Sequence, residues 1–278
     1  LLTRLHRDLG TKAATRWLQL SDDQVVEVSH TTSASVVHLR IGTPNPLCRY
    51  RADTFSIKEP ETLEWIEQFG APTSEGQTVL FDIGANIGLF SIFHCLLNNG
   101  HSVAFEPSPF NLRQLANNIE LNACGESVSV VSNPLSEIPG SASFHLSSLE
   151  EGGALSSFRE RYGHDGKPLD NTFSVAVLGF SLDSMYEYGL LDVLPNLVKI
   201  DVDGTEHRVI QGASRTLSTD TCRSVLVEVN DDFTLQAETV PRLLTEYGFE
   251  QVAKRQSTEI EFAPGYQHIY NQIWNKVI

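Results

Sequence analysis

The sequence predicts a doubly wound α/β domain with a mostly parallel sheet, preceded by an N-terminal helix and hairpin extension. Three observations carry that fold class. From Thr78 onward, strand-like runs alternate with helical ones. The strand-like runs are continuously apolar, as strands buried on both faces are. The chain has 278 residues, 41% of them hydrophobic, which suits one large domain that is stable without cross-links.

Element by element, residues 1–20 place Leu2, Leu5, Leu9, Ala13, Trp17 and Leu20 close to one helical stripe, with Arg4, Arg7, Lys12 and Arg16 opposite. Such a basic amphipathic helix is expected to dock on the protein's own core or on a second subunit, giving a homo-oligomer, in preference to a membrane surface. Runs at 24–29 and 35–41, joined through Thr31-Thr32-Ser33, read as a hairpin. Residues 60–69 read as a helix with Pro60 at its first position and Gly70 at its end. The boundary of the main domain is placed there, with 1–56 as the extension and 57–278 as the domain. Strands follow at 78–83, 102–106 and 127–132, with helices at 86–98 and 111–122. The stretch 140–171 is rich in Ser and Gly without a clear period and reads as a long insert or lid. The α/β rhythm is expected to resume with strand 173–178, helix 182–191, strand 197–201, helix 206–217, strand 224–229, helix 238–247 and strands at 249–253 and near 267–274.

The formal net charge is −15, from 20 Lys+Arg against 35 Asp+Glu. That balance leaves little for the basic face that binds a phosphate backbone, so no nucleic-acid partner is expected. No apolar run approaches the ~20 residues of a membrane span. Cys48, Cys95, Cys124 and Cys222 are widely spaced, without a CxxC pair or an Asn-x-Ser/Thr sequon anywhere, so reduced thiols and a cytoplasmic location are expected. The start, Leu1-Leu2-Thr3-Arg4, lacks Met and any signal-peptide pattern, as expected of a chain trimmed upstream.

The chemistry begins at Asp82-Ile83-Gly84-Ala85-Asn86-Ile87-Gly88, where a buried strand runs through a glycine turn into a helix. Gly84 and Gly88 are expected to let the backbone approach a ligand that a Cβ would meet. A dinucleotide loop would read GxGxxG and hold a pyrophosphate. Here the spacing is GxxxG and an acid precedes the turn, which repels a pyrophosphate and suits the amino-acid portion of S-adenosylmethionine. The next strand ends in Phe105-Glu106-Pro107-Ser108, where Glu106 can hold both hydroxyls of a ribose.

These two motifs, together with Lys199-Ile200-Asp201-Val202-Asp203-Gly204, Lys58-Glu59-Pro60-Glu61-Thr62 before Trp65-Ile66, and Val227-Glu228-Val229-Asn230, resemble the FkbM family of methyltransferases. The resemblance covers roughly residues 57–250. It departs at Asp203, where members often carry Glu, and at His207, which follows Glu206. It implies the class I methyltransferase, Rossmann-like fold, S-adenosylmethionine as donor, and usually a hydroxyl oxygen as acceptor. On the same resemblance, Asp82, Gly84, Ala85, Asn86 and Gly88 cradle the methionine portion, and Glu106, Pro107 and Ser108 the ribose. Asn133 and Ser136 lie near the adenine, although Asn133-Pro134 reads equally as a plain turn.

On the acceptor side, the strand ending at Asp201 carries that acid to the carboxyl edge of the sheet, where ligands of open α/β sheets bind. Asp201 is the first candidate for a base or orienting group; His207 is the second, with the better ordinary pKa for proton transfer. A solvent-facing place in the first turn of its helix is the alternative for His207. Asp201, Asp203, Glu228 and Asn230 are also hard oxygen donors able to hold Mg²⁺ against an acceptor with two adjacent oxygens. The preferred reading has Asp203 and Glu206 capping the following helix, with no metal required. Lys199, inside an apolar strand, requires a partner such as Asp82, Glu106 or Glu228. The activity the resemblance implies is O-methylation of a small molecule, sugar or glycan. A nicotinamide-dependent oxidoreductase, which would need GxGxxG, and a non-catalytic cofactor- or partner-binding module are the alternatives.

Overall fold

The computed structural model describes residues 24–72, 74, 76–169, 173–256 and 266–277. The expected helix over 1–20, and with it any subunit contact it makes, lies outside the described residues.

The hairpin forms as expected, with β1 (Val25–Thr31) antiparallel to β2 (Val36–Gly42). Two short helices that were not foreseen follow, α1 (Pro46–Asp53) and α2 (Phe55–Lys58). Asn45 starts the first: its side chain accepts from the Cys48 amide at 2.9 Å, and Pro46 takes the opening position. Next come α3 (Pro60–Phe69), β3 (Val79–Ile83), α4 (Leu89–Asn98), β4 (His101–Phe105), α5 (Pro109–Leu121) and β5 (Val128–Val131). The helix expected from residue 86 starts at Leu89, because Asn86 (φ 52°) and Gly88 (φ 86°) both adopt left-handed backbone.

The insert is more ordered than its composition suggests. Its start is β6 (Gly140–Leu146), which pairs with the two-residue β7 (Ser157–Phe158) and with β8 (Phe173–Gly179) in a small antiparallel sheet. The strand expected at 173–178 therefore does not rejoin the parallel sheet. Its outer residues alternate between exposed and half-buried, as a one-sided sheet requires. The chain then runs through α6 (Leu182–Glu187), β9 (Leu197–Ile200), α7 (Glu206–Gln211), α8 (Ser214–Ser218), β10 (Ser224–Asn230), α9 (Thr234–Glu246), β11 (Phe249–Arg255) and β12 (Ile269–Lys276). The single helix expected over 206–217 is two, broken at Gly212, where a Cβ would stand 2.2 Å from the Ser136 carbonyl oxygen.

The main sheet has the order β11–β12–β10–β9–β3–β4–β5. β10, β9, β3, β4 and β5 are parallel, while β12 runs antiparallel between β10 and β11. Two apolar layers sandwich it. Leu80, Leu197 and Leu226 pack with Val37, Leu39 and Ile41 of the hairpin and with Trp65, Ile66 and Phe93 of α3 and α4. Phe81, Ile83, Val198, Ile200, Val225 and Val227 pack on the other side with Leu182, Val209, Leu217 and Val240. The hairpin thus shares the main core. Because successive strand residues alternate faces, Asp82, Lys199 and Glu228 follow Leu80, Leu197 and Leu226 on the first face. No helix among the described residues is long and apolar enough to cross a membrane.

β3 and β9 run side by side to their carboxyl ends, where Gly84 meets Asp201. A Cβ on Gly84, whose φ is +89°, would lie 1.8 Å from the Asp201 carbonyl oxygen, so the turn tolerates no side chain. Gly84→Ala is expected to cost about 3–5 kcal/mol from strained backbone and overpacking together. Urea denaturation measures this, and a loss below about 1 kcal/mol would contradict the close approach.

Candidate active site

A cleft of about 400 Å³ opens at the carboxyl ends of β3, β4, β9 and β10. Strand β3 leads to β4 on one side and has β9 on the other, so the cleft sits where the strand order reverses, the usual ligand position in such sheets. One half is lined by Gly84, Ala85, Asn86, Glu106, Pro107, Ser108, Asn133 and Leu135. Arg51, Lys58, Glu59, Asp201, Asp203, Glu228 and Tyr266 line the other.

In the first half the turn is fixed by backbone: the Gly84 and Ala85 amides both donate to the Phe105 carbonyl at 3.0 Å. Glu106 is buried beside it. Its Oε2 accepts from the Asn86 amide and its Oε1 from the Ser108 amide, each at 2.8 Å. Burial pushes its carboxyl up to about 7, against the opposing pull of those two amides. Asn86 donates Nδ2 to the Gly153 carbonyl at 2.8 Å, and Asn111 donates to the same oxygen at 3.1 Å, which holds the start of the 153–156 segment over the turn. The Oδ1 of Asn86 is buried without a partner. Asn133 donates to the Leu178 carbonyl at 2.9 Å.

The chain's own packing also requires the glycines. A Cβ at Gly84 would strike Asp201 of the neighbouring strand, and one at Gly88 would lie 2.2 Å from Leu115 Cδ1. Internal packing, then, demands glycine at both positions. Gly88 is not in the cleft wall, and neither is Asp82. Asp82 is fully buried, accepts from the Ser91 hydroxyl at 2.7 Å, and has its Oδ1 without a partner. Burial raises its pKa, opposed by Lys199 across the strand pair. Ser136 is also buried outside the cleft wall and donates to Glu137.

The second half centres on Lys199. Its side chain is 2% exposed, and its ammonium pairs with Asp201 Oδ2 at 2.8 Å and lies 5.1 Å from the Phe90 ring centre. Of the three partners considered from sequence, only Asp82 stands alongside it; the ion pair is made with Asp201. Burial would raise the Asp201 pKa, but Lys199, with Lys58 and Arg51, holds it below the ordinary carboxylate value. Asp203, in left-handed backbone (φ 59°), accepts from the Leu155 amide at 2.7 Å; burial, and then Asp201, push its carboxyl to about 6. Glu206 accepts from the Val202 amide at 2.9 Å and the Gly204 amide at 3.1 Å, so it braces the loop after β9.

The remaining sequence candidates fall outside the cleft. His207 is buried rather than solvent-facing; it packs edge-on to Phe233 at 6.0 Å, and burial pushes its pKa down to about 4. Asn230 donates to the His164 carbonyl at 3.0 Å and accepts from the Asp232 amide at 3.0 Å. With Asn230 so engaged and Asp201 tied to Lys199, the four oxygen donors weighed for Mg²⁺ do not converge. Among the described residues no group of three or more His, Cys, Asp or Glu is arranged to hold a metal. Sequence reasoning missed Arg51 and Tyr266 as parts of the wall, whereas the 153–156 segment falls within the stretch read as an insert or lid. The Asn45-Pro46 start signal was there to place Arg51 on a helix, but nothing local marks the long-range meeting with the cleft.

The strand order, the antiparallel β12 and the acids at the sheet's carboxyl edge define a class I methyltransferase fold. The methyltransferase FkbM domain matches residues 82–250, and the chain belongs to that family. It is 29% identical over 174 residues to the hexuronic acid methyltransferase AglP of Haloferax volcanii, an alignment covering 62% of this chain and 64% of the relative's length. Among solved structures it is similar to methyltransferase FkbM from Methylobacillus flagellatus KT, at TM-score 0.49 and 13% identity over 77% of this chain and 50% of the other. It is also similar to the precorrin-6y C5,15-methyltransferase of Geobacter metallireducens GS-15, at TM-score 0.44 and 17% identity over 79% and 87% of the two chains.

The buried Glu106 carboxyl gives a pH test. A carboxyl raised on folding holds its proton in the native state while the unfolded chain has already lost its own. Its contribution to stability is complete below about 4.5 and falls as pH rises to about 7. Relative to Glu106→Gln, the native chain is expected to lose roughly 2–3 kcal/mol between those limits in urea titrations. A difference independent of pH would contradict the buried, neutral state.

Proposed function

We propose that this chain transfers a methyl group from S-adenosylmethionine to a hydroxyl oxygen of a sugar acid. The observation that carries the reading is the joining of two unlike halves in one cleft. One half has a ribose-type acid beside an apolar end; the other has an uncommitted cation among strand-end acids.

The residues of the first half fit the cofactor. Each Glu106 oxygen already accepts one amide and has a lone pair left for a ribose hydroxyl, an interaction worth ~1.5–3 kcal/mol once the carboxyl is ionised. Asn86, in the cleft wall and held by its Nδ2 bond to Gly153, has an Oδ1 still without a donor, which an ammonium would supply. Leu135, Phe144 and Phe158 supply apolar wall for an adenine. When bound, the cofactor supplies a methyl group on a positively charged sulfur. Asp82 acts from behind the turn rather than by contact. A pyrophosphate has no seat beside these acids, which argues against the nicotinamide alternative.

On the acceptor side, the relative's hexuronic acid supports a sugar carrying a carboxylate. Arg51 supports it independently. Its Nε donates to the Gly152 carbonyl at 2.7 Å, and its terminal nitrogens have no carboxylate partner among the described residues. By contrast Lys58 pairs with Glu59 at 3.2 Å and Lys199 with Asp201. A guanidinium fixed at Nε presents its two ends for a bidentate carboxylate.

Labelled methyl transfer to methyl glucuronoside and methyl glucoside tests this. The native chain is expected to favour the glucuronoside, and Arg51→Gln to lose about 10- to 100-fold of that preference in kcat/KM. Equal use of both glycosides would rule out the carboxylate, and transfer to neither would rule out the sugar.

A further inference from the structure

We propose that Glu228 is the group that takes the acceptor hydroxyl's proton during methyl transfer, a task the sequence reading assigned to Asp201. The inference rests on the proposed methyl transfer to oxygen and names the residue that makes it possible.

Val227 of β10 lies beside Ile200 of β9, so Glu228 and Asp201 emerge next to one another at the carboxyl edge. Asp201 in turn presses on Gly84 of the cofactor turn. Three adjacent strand ends therefore bring a turn, an ion-paired acid and a second acid into one wall of the cleft.

The cleft carboxylates then separate by what already occupies them. Glu59 has Lys58 at 3.2 Å and the Thr62 hydroxyl at 3.4 Å. Glu106 has two amides, Asp203 the Leu155 amide, and Asp201 the Lys199 ammonium. Glu228 lines the same space, and among the described residues its carboxyl makes no hydrogen bond or ion pair. A half-buried acid left without a donor inside a cleft takes its donor from the ligand. Asp201, neutralised by a buried ammonium, is a weak base in comparison.

The groups facing Glu228 agree. Burial, together with Asp201 just after β9, Glu59 before α3 and Glu206 on α7, raises its pKa well above the ordinary value, opposed by Lys58; Tyr266 faces it from the segment before β12. A carboxylate so destabilised is a strong proton acceptor once ionised, and a sulfonium charge in the cleft favours the ionised form. In the step itself, the acceptor's O–H bond breaks and the proton goes to a Glu228 oxygen. The hydroxyl oxygen bonds to the methyl carbon, and the S–C electron pair returns to sulfur. Water later removes the proton.

The test uses the full chain, native and as Glu228→Gln. Calorimetric titrations in two buffers of different ionisation enthalpy count protons exchanged on binding S-adenosylmethionine, which carries the sulfonium, and S-adenosylhomocysteine, which does not. The native chain is expected to release more protons with the sulfonium ligand. Glu228→Gln should abolish that difference, keep its Kd for S-adenosylhomocysteine, and slow transfer to methyl glucuronoside by about 10²–10⁴-fold. A proton difference that survives in Glu228→Gln overturns the assignment while leaving the cofactor reading intact. So does native-like turnover by that variant. If the folded native chain binds neither ligand, the cofactor reading falls and this inference falls with it.

Discussion

The contact between Gly84 and the Asp201 carbonyl sets the spacing on which the cleft depends. Strands β3 and β9 must be neighbours to place the cofactor-type turn and the acidic strand ends in one wall, and only a residue without Cβ allows them to close. Around that contact the turn is held by two amides on one Phe105 carbonyl, and the loop after β9 by Glu206. The apolar layers on both faces supply the bulk of the stabilisation, but these few polar contacts decide where the cleft opens.

Electrostatics give the site its second constraint. Asp82, Glu106, Asp201, Asp203, Glu206 and Glu228 gather near the sheet's carboxyl edge, and desolvation acts against ionising every one of them. Lys199 offsets part of this, with Asp201 as its direct partner and Asp82 alongside on β3. An unpaired buried charge would be costly there, so the ammonium and the carboxylates stand or fall together. The excess of acids also favours a cationic ligand in the cleft, which is the charge a sulfonium brings.

Much of the fold was legible because its main strands are short, continuously apolar and separated by helices. Pro60 and Gly70 marked α3 at both ends, and the runs at Val79–Ile83 and Leu197–Ile200 could only be buried strands. The small sheet was not legible: Gly140–Leu146 mixes Gly, Ser and Ala with its few apolar residues, and its pairing with Phe173–Gly179 spans a long intervening segment. Of the candidate site, the motifs around Gly84, Glu106 and Asp201 named positions that do line one cleft. What the residues there touch was not accessible. Sequence cannot say that Lys199 binds Asp201 rather than Glu228, nor that His207 turns into the core, because both depend on which helix covers which strand end.

The central claim is that this cleft is built for S-adenosylmethionine and not for a dinucleotide. Parallel calorimetric titrations of the full chain with S-adenosylhomocysteine and with NAD⁺ test it most directly. The account predicts micromolar binding of S-adenosylhomocysteine and no heat of binding with NAD⁺. Binding of NAD⁺, or a folded chain that ignores S-adenosylhomocysteine, would contradict it.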